Sequence, residues 1–241
     1  MTIADKAVLV TGANRGIGRA LIEEALRRGA ARIYAGTRQP LVAADGRVTP
    51  LRLDVTDAAQ VQRAVANVES LDILINNAGV AVSDDLGDRA VLERHLAVNL
   101  LGTYAVTQAF LPKLIRSRGA VVNNVSMMAL APLPITPSYA VSKAAAFNLT
   151  QSLRALLAGR GVTVHAVLTG PVDTDMTRGF EIPKASPASV ARAIFDGLEN
   201  GEEDIFPDPM SASVAESWRT GQVKALERQF AAMVDVTPAA S

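Results

Sequence analysis

Cysteine is absent from the chain, which excludes a disulfide framework and a thiolate metal site. Aromatic residues are scarce, at 4% of the 241 positions. Neither sign of charge is in excess: 24 Lys and Arg balance 24 Asp and Glu, and no block of like charge offers a footprint for nucleic acid or anionic lipid. No apolar run approaches the roughly 20 residues that a membrane-spanning helix needs. The opening "MTIADKAVLV" has no basic segment ahead of an apolar run that is itself too short for a secretory signal. The two histidines, His95 and His165, are isolated. One falls in a helical pattern and the other in a buried strand pattern, as packed or capped side chains do. No His, Asp or Glu cluster has metal-ligand spacing, so no catalytic metal is expected. Together these absences imply a soluble, cytoplasmic protein with neither nucleic acid nor membrane as partner.

What the chain does contain is small aliphatic residues. Hydrophobic residues make up 49%, mostly Ala, Val and Leu, a composition that lets helices lie close to a sheet. Short apolar runs at 7–10, 32–36, 49–55, 71–76, 120–126, 162–168 and 204–206 read as strands. Most are continuously apolar, as expected where both faces are covered. Helical patterns lie between them at 16–28, 57–69, 88–118, 138–159 and 187–199, the last opened by Ser186 as N-cap and Pro187 at the first helical position. The alternation predicts an α/β fold: a doubly wound, Rossmann-type parallel sheet of about seven strands with helices on both faces. No linker divides the chain, so 1–241 reads as one domain, with a further amphipathic helix at 211–234.

The segment "VLVTGANRGIGRA" follows the first strand and opens the first helix. Gly12, Gly16 and Gly18, with Asn14, Arg15 and Ile17 among them, sit where the chain must turn sharply. There a helix N-terminus presents free amides and a positive dipole end to a pyrophosphate. The spacing G-x-x-x-G-x-G differs from the usual dinucleotide pattern. About 20 residues on, an acid would hold the ribose hydroxyl of NAD. The second strand ends instead in "YAGTRQ", with Arg38 and no carboxylate nearby. Arg38 and Arg15 offer planar donors to a 2′-phosphate, which favours NADP(H).

In "PSYAVSKAAAF", Tyr139 and Lys143 are four residues apart on a predicted helix and share one face. A free tyrosine titrates near pH 10; an adjacent ammonium favours the phenolate, and a drop of ~3 pH units requires roughly 4 kcal/mol of differential stabilisation. Ser126, at the end of a strand 13 residues earlier, has a hydroxyl able to donate to a carbonyl oxygen as charge develops there.

With "TGANRGIG", "LDV" at 53–55, "NNAG" at 76–79, Asn99 in "AVNLLG", Ser126 in "NNVS" and "YAVSK", the sequence resembles the short-chain dehydrogenase/reductase family from about residue 6 to 206. That resemblance implies catalytic roles for Asn99, Ser126, Tyr139 and Lys143, with Lys143 also seating the nicotinamide ribose and Asn99 marking a helix distortion that holds a water. It implies that Asp54 and Val55 meet the adenine, that Asn77, Ala78 and Gly79 lie beside the adenosine ribose, and that Gly170, Val172 and Thr174 hold the nicotinamide carboxamide. Two positions depart from the family pattern: Thr169 stands where a proline is usual, and Ala129 where glycine is frequent. The substrate wall is expected to include Met127, Met128 and Met176 beside Ser126 and Tyr139.

The expectation is an NADPH-dependent carbonyl reductase, reversible as an alcohol dehydrogenase, acting on a small or aryl ketone or aldehyde. Two alternatives stay open: a 3-oxoacyl thioester reductase, and a non-catalytic NADP(H)-binding regulatory protein. Relatives pair their two long helices, here 88–118 and 138–159, so a homo-oligomer, tetramer or dimer, is expected.

Overall fold

The computed structural model describes residues 1–233. Seven parallel strands form one sheet in the order β3-β2-β1-β4-β5-β6-β7. They are β1 (Ala7–Thr11), β2 (Arg32–Thr37), β3 (Val48–Arg52), β4 (Ile73–Asn76), β5 (Ala120–Asn124), β6 (Thr163–Val167) and β7 (Asp204–Ile205). The helices are α1 (Gly16–Arg27), α2 (Ala58–Asn67), α3 (Arg89–His95), α4 (Thr103–Ser117), α5 (Pro137–Ala158), α6 (Pro187–Glu199), α7 (Pro209–Arg219) and α8 (Gln222–Ala231).

The period-2 alternation of side chains sorts the apolar strand residues onto two faces. Val8, Val10, Ile33, Ile73, Ile75 and Val122 pack with Leu21 and Ala25 of α1 and with Ile194 and Phe195 of α6. Leu9, Tyr34, Leu74, Val121 and Val164 pack with α2, with Phe110 and Leu114 of α4 and with Leu153 and Leu157 of α5. Both faces are covered, which is why the strands read as unbroken apolar runs. The architecture is the doubly wound, Rossmann-type sheet. Its order reverses between β1 and β4, and at such a switch the carboxyl ends of the strands open a crevice.

Three expected elements differ in detail. The strand expected over 49–55 ends at Arg52, because the Asp54 side chain turns back to accept from the Thr56 amide and hydroxyl. The helix expected over 88–118 is α3, a π-helical turn over Leu96–Gly102, and α4 in sequence. The single helix expected over 211–234 is two. It breaks at Thr220 and Gly221, where Gly221 takes an extended conformation and caps α8. Its last position, 234, lies outside the described residues.

α8 is fastened by charge. Lys224, almost wholly buried, sits 2.6 Å from Asp204 of β7 and 2.9 Å from Glu227. Arg154 of α5 pairs with Asp204 at 2.7 Å and also with Glu227, and the Trp218 indole donates to Asp204 at 2.8 Å. Among the described residues no helix is long and apolar enough to cross a membrane.

Candidate active site

The glycine segment makes the turn from β1 into α1. Gly12 and Gly16 have φ of 66° and 53°, conformations that residues with a Cβ rarely adopt. A Cβ on Gly18 would lie 2.1 Å from the Gly12 carbonyl oxygen, so helix and loop touch backbone to backbone. Arg15, at the N-cap position of α1, supplies no side-chain cap, which leaves the first amides of the helix to a ligand. This bare backbone cradle fits the phosphates of a dinucleotide. Asn14 is exposed at its rim, and Ile17 packs into the core below.

Arg38 is exposed at the end of β2 and has no partner among the described residues. The residues that follow the strand, Arg38, Gln39 and Pro40, include no carboxylate to favour an unphosphorylated ribose. Arg15 does not join it: its guanidinium pairs at 2.9 Å with Asp175, in the segment after β6. Val55 is buried against the π-helical turn, where a Cβ on Gly102 would come 2.6 Å from its methyl. Any ligand contact it makes is therefore through its backbone, beside Asp54.

Beyond β4, Thr11 ties the "NNAG" segment to the glycine loop. Its hydroxyl accepts from the amides of Asn77 and Ala78, each at 3.0 Å. The Asn77 side chain donates to the carbonyls of Thr11 and Gly12. Gly79 faces the site so closely that a Cβ there would sit 3.3 Å from Asn99 Oδ1 and 3.8 Å from Lys143 Nζ. Asn99 lies inside the π-helical turn. Its amide accepts from Val80 N and donates to the Val80 carbonyl and the Ser142 hydroxyl, all at 2.9 Å.

Ser126, buried and extended at the end of β5, caps the single turn Met127–Ala129 by accepting from Met128 N. Its hydroxyl donates to the Thr169 carbonyl at 3.3 Å and lies close enough to the Tyr139 hydroxyl to favour its ionised form. Tyr139 stands on the first turn of α5, edge-on to the buried His95 with ring centres 6.2 Å apart. His95 accepts from Val82 N at 3.0 Å and has its other nitrogen on the Val91 carbonyl. His165 is likewise packed, its ring nitrogens on the Glu202 carbonyl and the Thr163 hydroxyl.

The expected acidification of Tyr139 gives way to the opposite shift. Burial pushes its hydroxyl up to about 12, and the nearby Ser126 hydroxyl only partly counters that. The reason is where Lys143 points. Its Nζ donates to the Asn124 carbonyl at 2.8 Å and lies 5.6 Å from the Tyr139 ring centre. Desolvation brings Lys143 itself down to about 8.

After β6, Gly170 donates its N–H to the buried Asp208 carboxylate at 2.7 Å. Val172 is buried, and Thr174 caps a single turn at Asp175–Thr177 with its methyl close against Gly16. Met176 is exposed on that turn, while the Met128 sulfur accepts from the Thr136 hydroxyl. Between Gly16 and this segment opens a cleft of about 640 Å³, with Arg19, Arg178 and Lys184 in its lining. Sequence reasoning passed over Thr11, Asn124 and Asp208. The first two sit inside quoted motifs, but Asp208 leaves no local signal, because only the packing of α7 brings it to Gly170.

The family model described as short chain dehydrogenase matches residues 6–184. The chain is 33% identical to the oxidoreductase UcpA of Salmonella typhimurium, over 91% of this chain and 92% of that one. It is 34% identical to the 3-oxoacyl-[acyl-carrier-protein] reductase FabG of Thermotoga maritima, over 92% and 96%. Among solved structures, a short chain dehydrogenase from Burkholderia cenocepacia J2315 in complex with NADP superposes with a TM-score of 0.87 at 35% identity, covering 99% of this chain and 100% of that one.

Proposed function

The chain belongs to the short-chain dehydrogenase/reductase family, and from that premise we propose that it is an NADPH-dependent reductase of small or aryl ketones and aldehydes, reversible as an alcohol dehydrogenase. The observation that carries this reading is the meeting of Ser126, Tyr139 and Lys143 beside a bare glycine cradle. Arg38 supports NADP(H), since its free guanidinium suits a 2′-phosphate. The bound NADP of the Burkholderia relative supports it too.

NADPH, when bound, supplies the hydride that reaches the carbonyl carbon. Tyr139 gives its proton to the carbonyl oxygen. A hydroxyl held up to about 12 stays protonated throughout the neutral range, so it enters the reaction as an acid. Ser126 turns its hydroxyl from the Thr169 carbonyl to the substrate oxygen and steadies the charge that gathers there. Lys143 brings a positive charge to the phenolate that Tyr139 leaves behind, and seats the ribose. Asn99 holds the π-helical turn and the Val80 backbone beside Lys143, where the proton returns. Met127, Met128 and Met176 form an apolar wall for the rest of the substrate.

A second reading, 3-oxoacyl thioester reduction, draws support from the Thermotoga relative. A carrier's phosphate would need free cations at the mouth of the site. Those in the neighbouring cleft are engaged: Arg19 with Glu23, Arg178 with Asp175, Lys184 with the Thr177 carbonyl. This favours the uncharged carbonyl. The test is NADPH against NADH oxidation with a panel of ketones, aldehydes and an acetoacetyl thioester. Turnover of an aryl ketone with NADPH is expected; turnover of the thioester alone transfers the assignment to the second reading. A Tyr139→Phe protein with unchanged turnover would make the site non-catalytic.

Leu101, Tyr104, Val141 and Leu156 are exposed apolar residues on the π-helical turn, α4 and α5, and they support a homo-oligomer built on these helices. Sedimentation at the 25.3 kDa of a single chain would contradict it.

A further inference from the structure

Two side chains that the proposed reaction does not use meet beneath the site. Thr169, buried just beyond β6, donates its hydroxyl to Asn124 Oδ1 at 2.6 Å. Asn124 Nδ2 donates to Asn77 Oδ1 at 3.0 Å, and Asn77 Nδ2 donates to the glycine-loop carbonyls at 3.0 and 3.3 Å. A single directed chain of hydrogen bonds therefore crosses the carboxyl ends of β1, β4, β5 and β6.

Its direction is forced. The carbonyls of Thr11 and Gly12 can only accept, so Asn77 must face them with its amide nitrogen and turn its oxygen to Asn124. Asn124 must then present its nitrogen to Asn77, which leaves its oxygen in need of a donor. The Thr169 hydroxyl is that donor. A valine of the same shape offers none, and neither does the proline usual in the family at this position.

Both ends of Thr169 bear on the reacting groups. The residue it orients, Asn124, accepts Lys143 Nζ on its backbone carbonyl at 2.8 Å. The Thr169 carbonyl accepts from Met127 N at 3.0 Å and from the Ser126 hydroxyl at 3.3 Å. We propose that Thr169 is a positioning residue: through the Asn124 side chain and its own carbonyl it holds Lys143 and Ser126 in mutual register. This rests on the reductase reading above.

The test compares Thr169→Val, which keeps shape and loses the donor, with Thr169→Ser, which keeps the donor. For Thr169→Val, kcat in NADPH-dependent ketone reduction falls about tenfold, the size of one buried hydrogen bond acting on the transition state. The NADPH Kd, read by cofactor fluorescence without turnover, stays within about twofold, since Asn77 keeps its own bonds to the glycine loop. Thr169→Ser restores most of kcat. If Thr169→Val does not fold, Asn124→Asp keeps an acceptor for Thr169 but loses the donor to Asn77, and Asn124→Val loses both bonds. A fall in kcat confined to Asn124→Val assigns the effect to the Thr169 bond, whereas equal falls overturn the proposal.

A donor-free variant with wild-type kcat overturns the proposal, as does an equal loss in the serine variant. So does a loss that appears wholly in the cofactor Kd. If the wild type binds NADPH but reduces no carbonyl, the reading of function falls and the proposal with it, an outcome distinct from a working enzyme indifferent to Thr169.

Discussion

The Lys143 ammonium lies 5.6 Å from the centre of the Tyr139 ring and gives its hydrogen bond to the Asn124 carbonyl at 2.8 Å. The two side chains meet as a charge and a nearby phenol, with no direct bond between ammonium and hydroxyl. Burial then shifts both groups toward their neutral forms, Tyr139 to about 12 and Lys143 to about 8.

The pH dependence of reduction follows from that pair. Tyr139 keeps its proton across the neutral and mildly alkaline range, so the limb is set by Lys143. The kcat/KM for NADPH, which reports groups of the free enzyme, is expected to be level below pH 8 and to fall as Lys143 loses its charge above it. A profile that rises between pH 8 and 9.5 would show that phenolate, not ammonium, controls the rate.

Holding Lys143 inside is expected to weaken the fold. Its pKa is lowered from 10.5 to about 8, a deficit of about 3 kcal/mol at neutral pH. The sign is that of a depressed lysine: the unfolded chain binds the extra proton, so the deficit is complete below pH 8 and disappears as pH climbs toward 10.5. Lys143→Met is therefore expected to abolish turnover while raising the melting temperature at pH 7, with a smaller gain at pH 10. A lower melting temperature at pH 7 would mean that the bond to Asn124 outweighs desolvation.

Gly18 is the tightest point of the cradle. A methyl there meets the Gly12 carbonyl oxygen at 2.1 Å, a backbone atom that cannot swing aside, so α1 must move away from the loop after β1. Gly18→Ala is expected to destabilise by about 1–3 kcal/mol, as overpacking does, and to weaken NADPH binding. Thermal melting and cofactor fluorescence check both; an unchanged melting temperature counts against the close approach.

At the end of β2, Arg38→Asp replaces a free guanidinium with a carboxylate. The kcat/KM for NADPH should drop about 10- to 100-fold, in keeping with a lost charge-assisted contact, and that for NADH should rise. Steady-state rates with the two cofactors decide it, and an unaltered ratio removes Arg38 from phosphate recognition.

Most of the architecture was legible because it rests on local pattern. Unbroken apolar runs announced strands covered on both faces, and the glycine loop and the four-residue spacing of Tyr139 and Lys143 are adjacent in sequence as in space. What escaped depends on contacts between distant segments. The break at Gly221 is invisible in an amphipathic pattern that continues across it. A helix distortion at Asn99 was expected from the family resemblance alone, and its π-helical form was not, since apolar periodicity cannot register one extra residue per turn. Asn124 and Thr169 are 45 positions apart, and nothing in either motif says that one supplies the other's donor. The Tyr139 shift was misjudged because spacing gives proximity and says nothing of dehydration.

The interior charges of Lys224, Asp204, Arg154 and Glu227 set a rule for handling this molecule. Cutting the chain ahead of α8 would strand the Asp204 carboxylate on the last strand with the Lys224 half of its counter-charge gone and only Arg154 and the Trp218 indole still facing it. Any shortened form of this protein therefore keeps α8, and with it the second cation that faces Asp204.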